Sequence, residues 1–139
     1  MMPRTRAEAW LAVREFAVLT LGIIAVWLWA WALAPLQPAS AQTPDQVIQI
    51  TQQRGGQFAP CLLQIEARET GNTYLPNLVN PSSGAYGPLQ YLQRGGVWDA
   101  TPLGRSGVPV TAASVEQQVD MATWAMQAGY KSAWSPSPC

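Results

Sequence analysis

From Phe16 to Ala34 the chain reads FAVLTLGIIAVWLWAWALA, without one charged residue. As a helix rising about 1.5 Å per residue, this run would span roughly 28 Å, close to the thickness of a hydrocarbon core. Trp27, Trp29 and Trp31, with no polar face between them, argue against a helix buried in a water-soluble core. The run is therefore expected to meet a membrane. Arg4, Arg6 and Arg14 against Glu8 and Glu15 give the flank a positive excess that keeps the N-terminus cytoplasmic. Downstream, Pro38-Ala39-Ser40-Ala41-Gln42 offers small residues at Ala39 and Ala41, which suits cleavage after Ala41. The apolar run exceeds the usual signal-peptide core of about 7 to 15 residues, so a retained membrane anchor competes with a cleaved secretory signal. Both readings place residues 42–139 outside the cytoplasm: secreted, periplasmic or facing the cell wall, and membrane-anchored if the segment stays.

With 139 residues in all, there is room for one domain beyond this segment. Residues 42–139 hold a near balance of acids and bases, which lacks the electrostatic footprint of a nucleic-acid binder. So small a domain profits from a covalent staple. Cys61 and Cys139 are the two cysteines of the chain, and in an oxidising compartment they are expected to pair. A loop that long would contribute roughly 4 kcal/mol on chain-entropy grounds.

Local signals divide the segment. Thr43 as cap, Pro44 in the first turn, and Val47, Ile48 and Ile50 before Gly55-Gly56 predict a lead-in helix from about Pro44 to Arg54. A second helix is expected from about Ala59 to Thr70. In it Leu62, Ile65 and Glu69 fall at i, i+3 and i+7, placing Glu69 along one edge of the buried face. Residues 71–87, rich in Gly, Asn, Pro and Ser, read as loop with a small hairpin or irregular turns. Pro88 to Gln93 reads as one short helical turn, and Arg94 to Pro109 as loop carrying Trp98. Ser114-Val115-Glu116-Gln117 is a capping-box pattern. It opens a helix to about Ala128, with Val115, Val119, Ala122 and Met126 on one stripe and Gly129 as the left-handed residue that ends it. Trp124 on that helix is expected to be buried, and Trp134 to hold the tail to the body.

The chemistry available is narrow. There is no histidine, which excludes Ser-His-Asp and Cys-His nucleophilic sites and His-ligated zinc. Paired cysteines leave no thiolate metal site, and no glycine pattern forms a phosphate loop; neither a cofactor nor a metal is expected. Carboxylates, amides, hydroxyls and aromatics remain, an inventory suited to glycosidic bonds, where a carboxylic acid protonates the leaving oxygen.

The run Arg68-Glu69-Thr70-Gly71-Asn72, followed by Asn80-Pro81-Ser82-Ser83-Gly84-Ala85-Tyr86-Gly87-Pro88-Leu89-Gln90, resembles the lysozyme-like domain of lytic transglycosylases. That family has a Glu-Ser pair at a helix end, a loop, and a Gly-Ala-x-Gly-Leu-x-Gln motif. Trp98, the helix Ser114 to Ala128 and the Trp134 to Cys139 ending resemble the related resuscitation-promoting-factor domains, in which a cysteine near the catalytic helix is bridged to one near the domain end. The resemblance covers residues 58–139, after a signal or anchor over 1–41 and a lead-in helix over 42–57. It departs at Thr70, where serine is usual, at Pro88, and in a longer stretch between Glu69 and Gly84.

The resemblance implies a mainly α, lysozyme-like fold and a monomer acting on peptidoglycan glycan strands. Glu69 would be the single acid and base, with Thr70, Tyr86, Gln90, Tyr91 and Trp98 contacting substrate. The bond implied is the β-1,4 link between N-acetylmuramic acid and N-acetylglucosamine. A hydrolytic muramidase would want a second carboxylate, Asp99 or Asp120, about 5 to 9.5 Å away. A non-catalytic wall-binding or assembly protein is the alternative outside enzymology. Each residue also has a plainer role: Glu69 as a solvated helix-end charge, Gln90 as a tie for loop backbone, Trp98 as core. Glu66, one turn before Glu69, would raise the Glu69 pKa by like-charge repulsion, and Arg68 would lower it if turned inward.

Overall fold

A computed structural model describes residues 39–136 and 138–139. The apolar run 16–34, and with it the signal or anchor expectation, lies outside the described residues. Among the described residues no helix is long and apolar enough to cross a membrane.

The described chain is mainly helical, as expected. After a 3₁₀ turn at Ala39–Ala41 come α1 (Pro44–Arg54), a 3₁₀ turn at Gly56–Phe58, α2 (Ala59–Glu69), the single-turn helices α3 (Val97–Ala100) and α4 (Pro102–Arg105), a 3₁₀ turn at Val110–Ala112, α5 (Val115–Gln127) and a 3₁₀ turn at Lys131–Trp134. Two of the three long helices begin where their caps dictate. Thr43 and Gln46 close a reciprocal capping box at α1, and Ser114 and Gln117 close another at α5. Helix α2 ends in a Schellman motif. The Asn72 N–H reaches the Ala67 carbonyl at 2.7 Å and the Gly71 N–H reaches that of Arg68 at 3.4 Å, with Gly71 at φ 60°.

Helix α5 is the packing centre. Val115, Val119, Ala122, Ala125 and Met126 are buried, and they meet Val47 of α1 and Leu62 and Ile65 of α2 in one core. Trp124 departs from expectation: it is only partly buried, stacked on Tyr130 with ring centroids 5.8 Å apart and with the Arg105 guanidinium 5.7 Å from its ring. Ala39 joins the core as well, so cleavage after Ala41 would remove a buried residue.

Two readings of the loops are corrected. Residues 94–109 are not all loop, because Thr101 followed by Pro102 is a cap and first-turn pair. The Thr101 hydroxyl accepts from the Gly104 N–H at 3.0 Å and donates to the Trp98 carbonyl at 2.7 Å, stitching α3 to α4. Pro88 to Gln93 form no helical turn. Gln90 adopts φ 49° and the chain doubles back, so that Tyr86 and Tyr91 pair antiparallel.

Cys61 on α2 and Cys139 lie at disulfide distance, with Cα atoms 5.5 Å apart. The tail between is held further by Trp134, buried, whose indole N–H donates to the Leu89 carbonyl at 2.8 Å.

Candidate functional site

The last turn of α2 carries two carboxylates in contrasting surroundings. Glu69 is the final helical residue, its side chain 29% exposed. Its Oε1 accepts from Arg68 Nε at 3.1 Å and Nη2 at 2.8 Å. The same guanidinium donates to the carbonyls of Trp134, at 3.1 Å, and Pro136. Arg68 therefore ties the tail to the helix end while holding one oxygen of Glu69. Among the described residues, Arg68 is the hydrogen-bond partner of that carboxylate.

Glu66, one turn earlier, is completely buried. The Thr51 hydroxyl of α1 donates to its Oε1 at 2.8 Å, and its Oε2 has no hydrogen-bond partner among the described residues. Burial pushes its pKa up from 4.5 to about 7, with the Thr51 bond pulling the other way. The phenol of Tyr91 is pushed well above its usual range, chiefly by its own burial and then by the Glu66 charge. Sequence reasoning treated Glu66 only as a neighbour of Glu69. Its place at i+4 from Leu62, beside Ile65, was the signal that it faces the core.

The Gly-rich motif folds into a self-braced pair of turns. Val79 bridges Tyr86, and Tyr86 bridges Tyr91, both antiparallel. Asn80 Oδ1 accepts the backbone N–H groups of Ser82 and Ser83, at 2.9 and 3.2 Å, an Asx turn. Gly87, at φ 80°, is fixed twice over: a Cβ there would stand 2.1 Å from Gln118 Oε1. The Gln90 amide donates to the carbonyls of Leu78 and Gly87, at 3.1 and 2.8 Å. Its visible work is thus the plainer one, tying loop backbone.

The remaining expected contact residues divide. Tyr86 is partly buried against the core, which raises its phenol pKa, and its bridge partner Val79 is 52% exposed. Three residues are corrected. Tyr91 and Trp98 are each 1% exposed and have no face for a sugar. They meet edge to face at 5.0 Å, and their polar tips are satisfied within the body, Tyr91 by the Gln118 carbonyl at 3.0 Å and Trp98 by that of Val108 at 2.8 Å. Thr70 is buried too. Its hydroxyl donates to the Glu66 carbonyl at 2.7 Å and accepts from the Tyr74 N–H at 2.9 Å, which shapes the turn after α2. Asp99 accepts the Gly95 N–H at 2.7 Å and Asp120 is forked by Arg54, so both candidate second carboxylates have structural partners. No hydrogen bond or ion pair joins Glu69 to the turn unit among the described residues. Among those residues there is likewise no group of three or more His, Cys, Asp or Glu arranged to hold a metal.

Elsewhere, a groove of about 200 Å³ is lined by Gln42, Gln46, Gln49, Ile50, Gln53 and Glu116. Neither Glu69 nor the turn unit borders it. No known family, characterised protein or solved structure matches the chain.

Proposed function

We propose that this protein cleaves peptidoglycan glycan strands at the MurNAc-β-1,4-GlcNAc bond as a lytic transglycosylase with a lysozyme-like fold, using Glu69 as acid and then base. The observation that carries this reading is a partly exposed carboxylate on the last residue of a helix whose inner face is buried, with one oxygen held and the other without a hydrogen-bond partner among the described residues. A rigid Gly-rich turn unit follows it in the order the resemblance requires. In this mechanism Glu69 protonates the glycosidic oxygen as the bond to the anomeric carbon breaks. The substrate's acetamido group stabilises the oxocarbenium-like centre, and Glu69 takes the proton of the 6-hydroxyl as that oxygen closes onto the anomeric carbon. No water is consumed, and one carboxylate serves both steps. Glu66 is unsuited to the role, because a wholly buried group cannot reach a glycan.

One observation favours the non-catalytic reading: the Arg68 pair treats Glu69 as a structural anion. The two readings separate on purified cell walls. Full-length protein should release 1,6-anhydro muropeptides, and Glu69→Gln should lower that rate by about 10²- to 10⁴-fold, the usual worth of a positioned acid. Binding to walls without any release of fragments by the wild type would favour the wall-binding protein. Release of reducing-end sugars instead of anhydro products would favour a hydrolytic muramidase.

A further inference from the structure

We infer that Arg68 is a positioning residue for Glu69, and that the C-terminal tail, fastened to α2 at two points, keeps Arg68 in that role. The inference rests on Glu69 being the catalytic acid and adds what aims its carboxylate.

Helix periodicity does not supply this pair. Arg68 and Glu69 are neighbours in α2, so their side chains leave the helix about 100° apart and do not face each other. Arg68 has to turn sideways to set Nε and Nη2 on Glu69 Oε1, at 3.1 and 2.8 Å. Arg68 is exposed and Glu69 partly so, and an ion pair in water gains little by itself. The tail supplies the missing hold. Nη2 also donates to the Trp134 carbonyl at 3.1 Å, and Nη1 donates to that of Pro136. Because a guanidinium carries its N–H groups in one rigid fork, it cannot swing away from Glu69 without giving up the tail bonds as well.

Those backbone acceptors are themselves fixed. Trp134 is buried, with its indole N–H on the Leu89 carbonyl and its ring edge to face with Tyr91 at 5.6 Å. Beyond Pro136, Cys139 is joined to Cys61. Cys61 and Arg68 stand at i and i+7 of α2, two turns apart on one face and about 10 Å along the axis. The three residue steps from Pro136 to Cys139 can cover about the same 10 Å. One face of α2 thus holds the tail twice, by the disulfide and by Arg68.

The consequence for chemistry is directional. With Oε1 held, Glu69 turns its other oxygen to the glycosidic bond. Opening the strap frees the fork, and the carboxylate then rotates among orientations that aim neither oxygen. Lost aim slows the chemical step and leaves glycan binding alone.

The test joins an NMR signature to kinetics on the full-length protein. In ¹⁵N-labelled wild type the Arg68 Nε–Hε resonance should be resolved and slow to exchange with water. Glu69→Gln should shift it, and Cys61→Ser/Cys139→Ser should move it to the position of freely solvated arginines. On soluble glycan strands, the double variant and Arg68→Lys should each lower kcat by about 10- to 10²-fold with KM within about twofold, since lysine keeps the charge but lacks the fork. Arg68→Lys carries the kinetic arm if the double variant misfolds. An Arg68 resonance indifferent to loss of the disulfide, wild-type kcat in Arg68→Lys, or a change confined to KM would overturn the inference. An inactive wild type instead overturns the transglycosylase reading and the positioning role with it, whereas an active wild type with an indifferent Arg68 overturns this inference alone.

Discussion

Glu66 and Glu69 sit one turn apart on the same helix and divide between them the two properties asked of a catalytic acid. Glu66 has the proton affinity, about 7, and no access; Glu69 has access and a partner cation. The difference lies in what each side chain faces. Glu66 points into the seam where α1 crosses α2 and meets one hydroxyl, so its charge is poorly solvated. Glu69 points along the helix edge into water and Arg68. A raised pKa marks functional sites often enough to be a useful flag, yet here it marks the interior of the fold. For Glu69 to act as an acid, the desolvation that burial supplies to Glu66 must come from a glycan closing over the helix end.

Four substitutions break or sharpen that contrast between interior and edge. The largest effect is expected at Trp98. If it belongs to the core and not to a groove, Trp98→Ala should cost about 3–5 kcal/mol in denaturant unfolding, the range for a deleted buried aromatic. A loss below about 1 kcal/mol would return Trp98 to the surface.

Next is Glu66. Its native pKa lies above the unfolded value, so its contribution is fully present below about 4.5, is lost as pH rises through about 7, and is flat beyond. The total is about 3 kcal/mol. Thermal melts of the wild type should therefore fall between pH 4.5 and 8. Glu66→Gln keeps an acceptor for Thr51 and removes the charge; its melts should lose that slope and exceed the wild type at pH 8. A wild-type melting temperature independent of pH would place Glu66 in contact with water.

Smaller again is Gly71→Ala, which meets no neighbour within 4 Å and is strained only by φ 60°; about 1–2 kcal/mol is expected from the left-handed backbone alone. Smallest is the stability change for Glu69→Gln, expected within about 0.5 kcal/mol because its pair with Arg68 is exposed. A larger loss by the same unfolding assay would make Glu69 a structural anion.

The parts of the fold that sequence reading reached are those written in local chemistry. Thr43 with Gln46, Ser114 with Gln117, and Gly71 and Gly129 just past their helices specify α1, α5 and the helix ends through bonds spanning a few residues. Thr101-Pro102 carries a signal of the same kind, hidden because each helix it caps is one turn long. Tyr91, Trp98 and Thr70 misled for the opposite reason. Burial at each is set by bonding that no cap or turn pattern announces: Tyr91, read in a short helical turn, and Trp98, read in a loop, bond to the carbonyls of Gln118 and Val108, and Thr70, read as a helix end, bonds to the Glu66 carbonyl and the Tyr74 N–H. The hydrogen bond from Gln42 to Glu116 likewise joins residues that are far apart in the chain and share no pattern.

The central claim is that the accessible carboxylate, not the buried one, does the chemistry. Its most direct test is the release of soluble muropeptides from purified walls by wild-type, Glu66→Gln and Glu69→Gln proteins at pH 6. The account predicts anhydro products from the first two at comparable rates and about 10²-fold less or lower from Glu69→Gln. Wild-type rates from Glu69→Gln, or a collapse of activity in a folded Glu66→Gln, would contradict it.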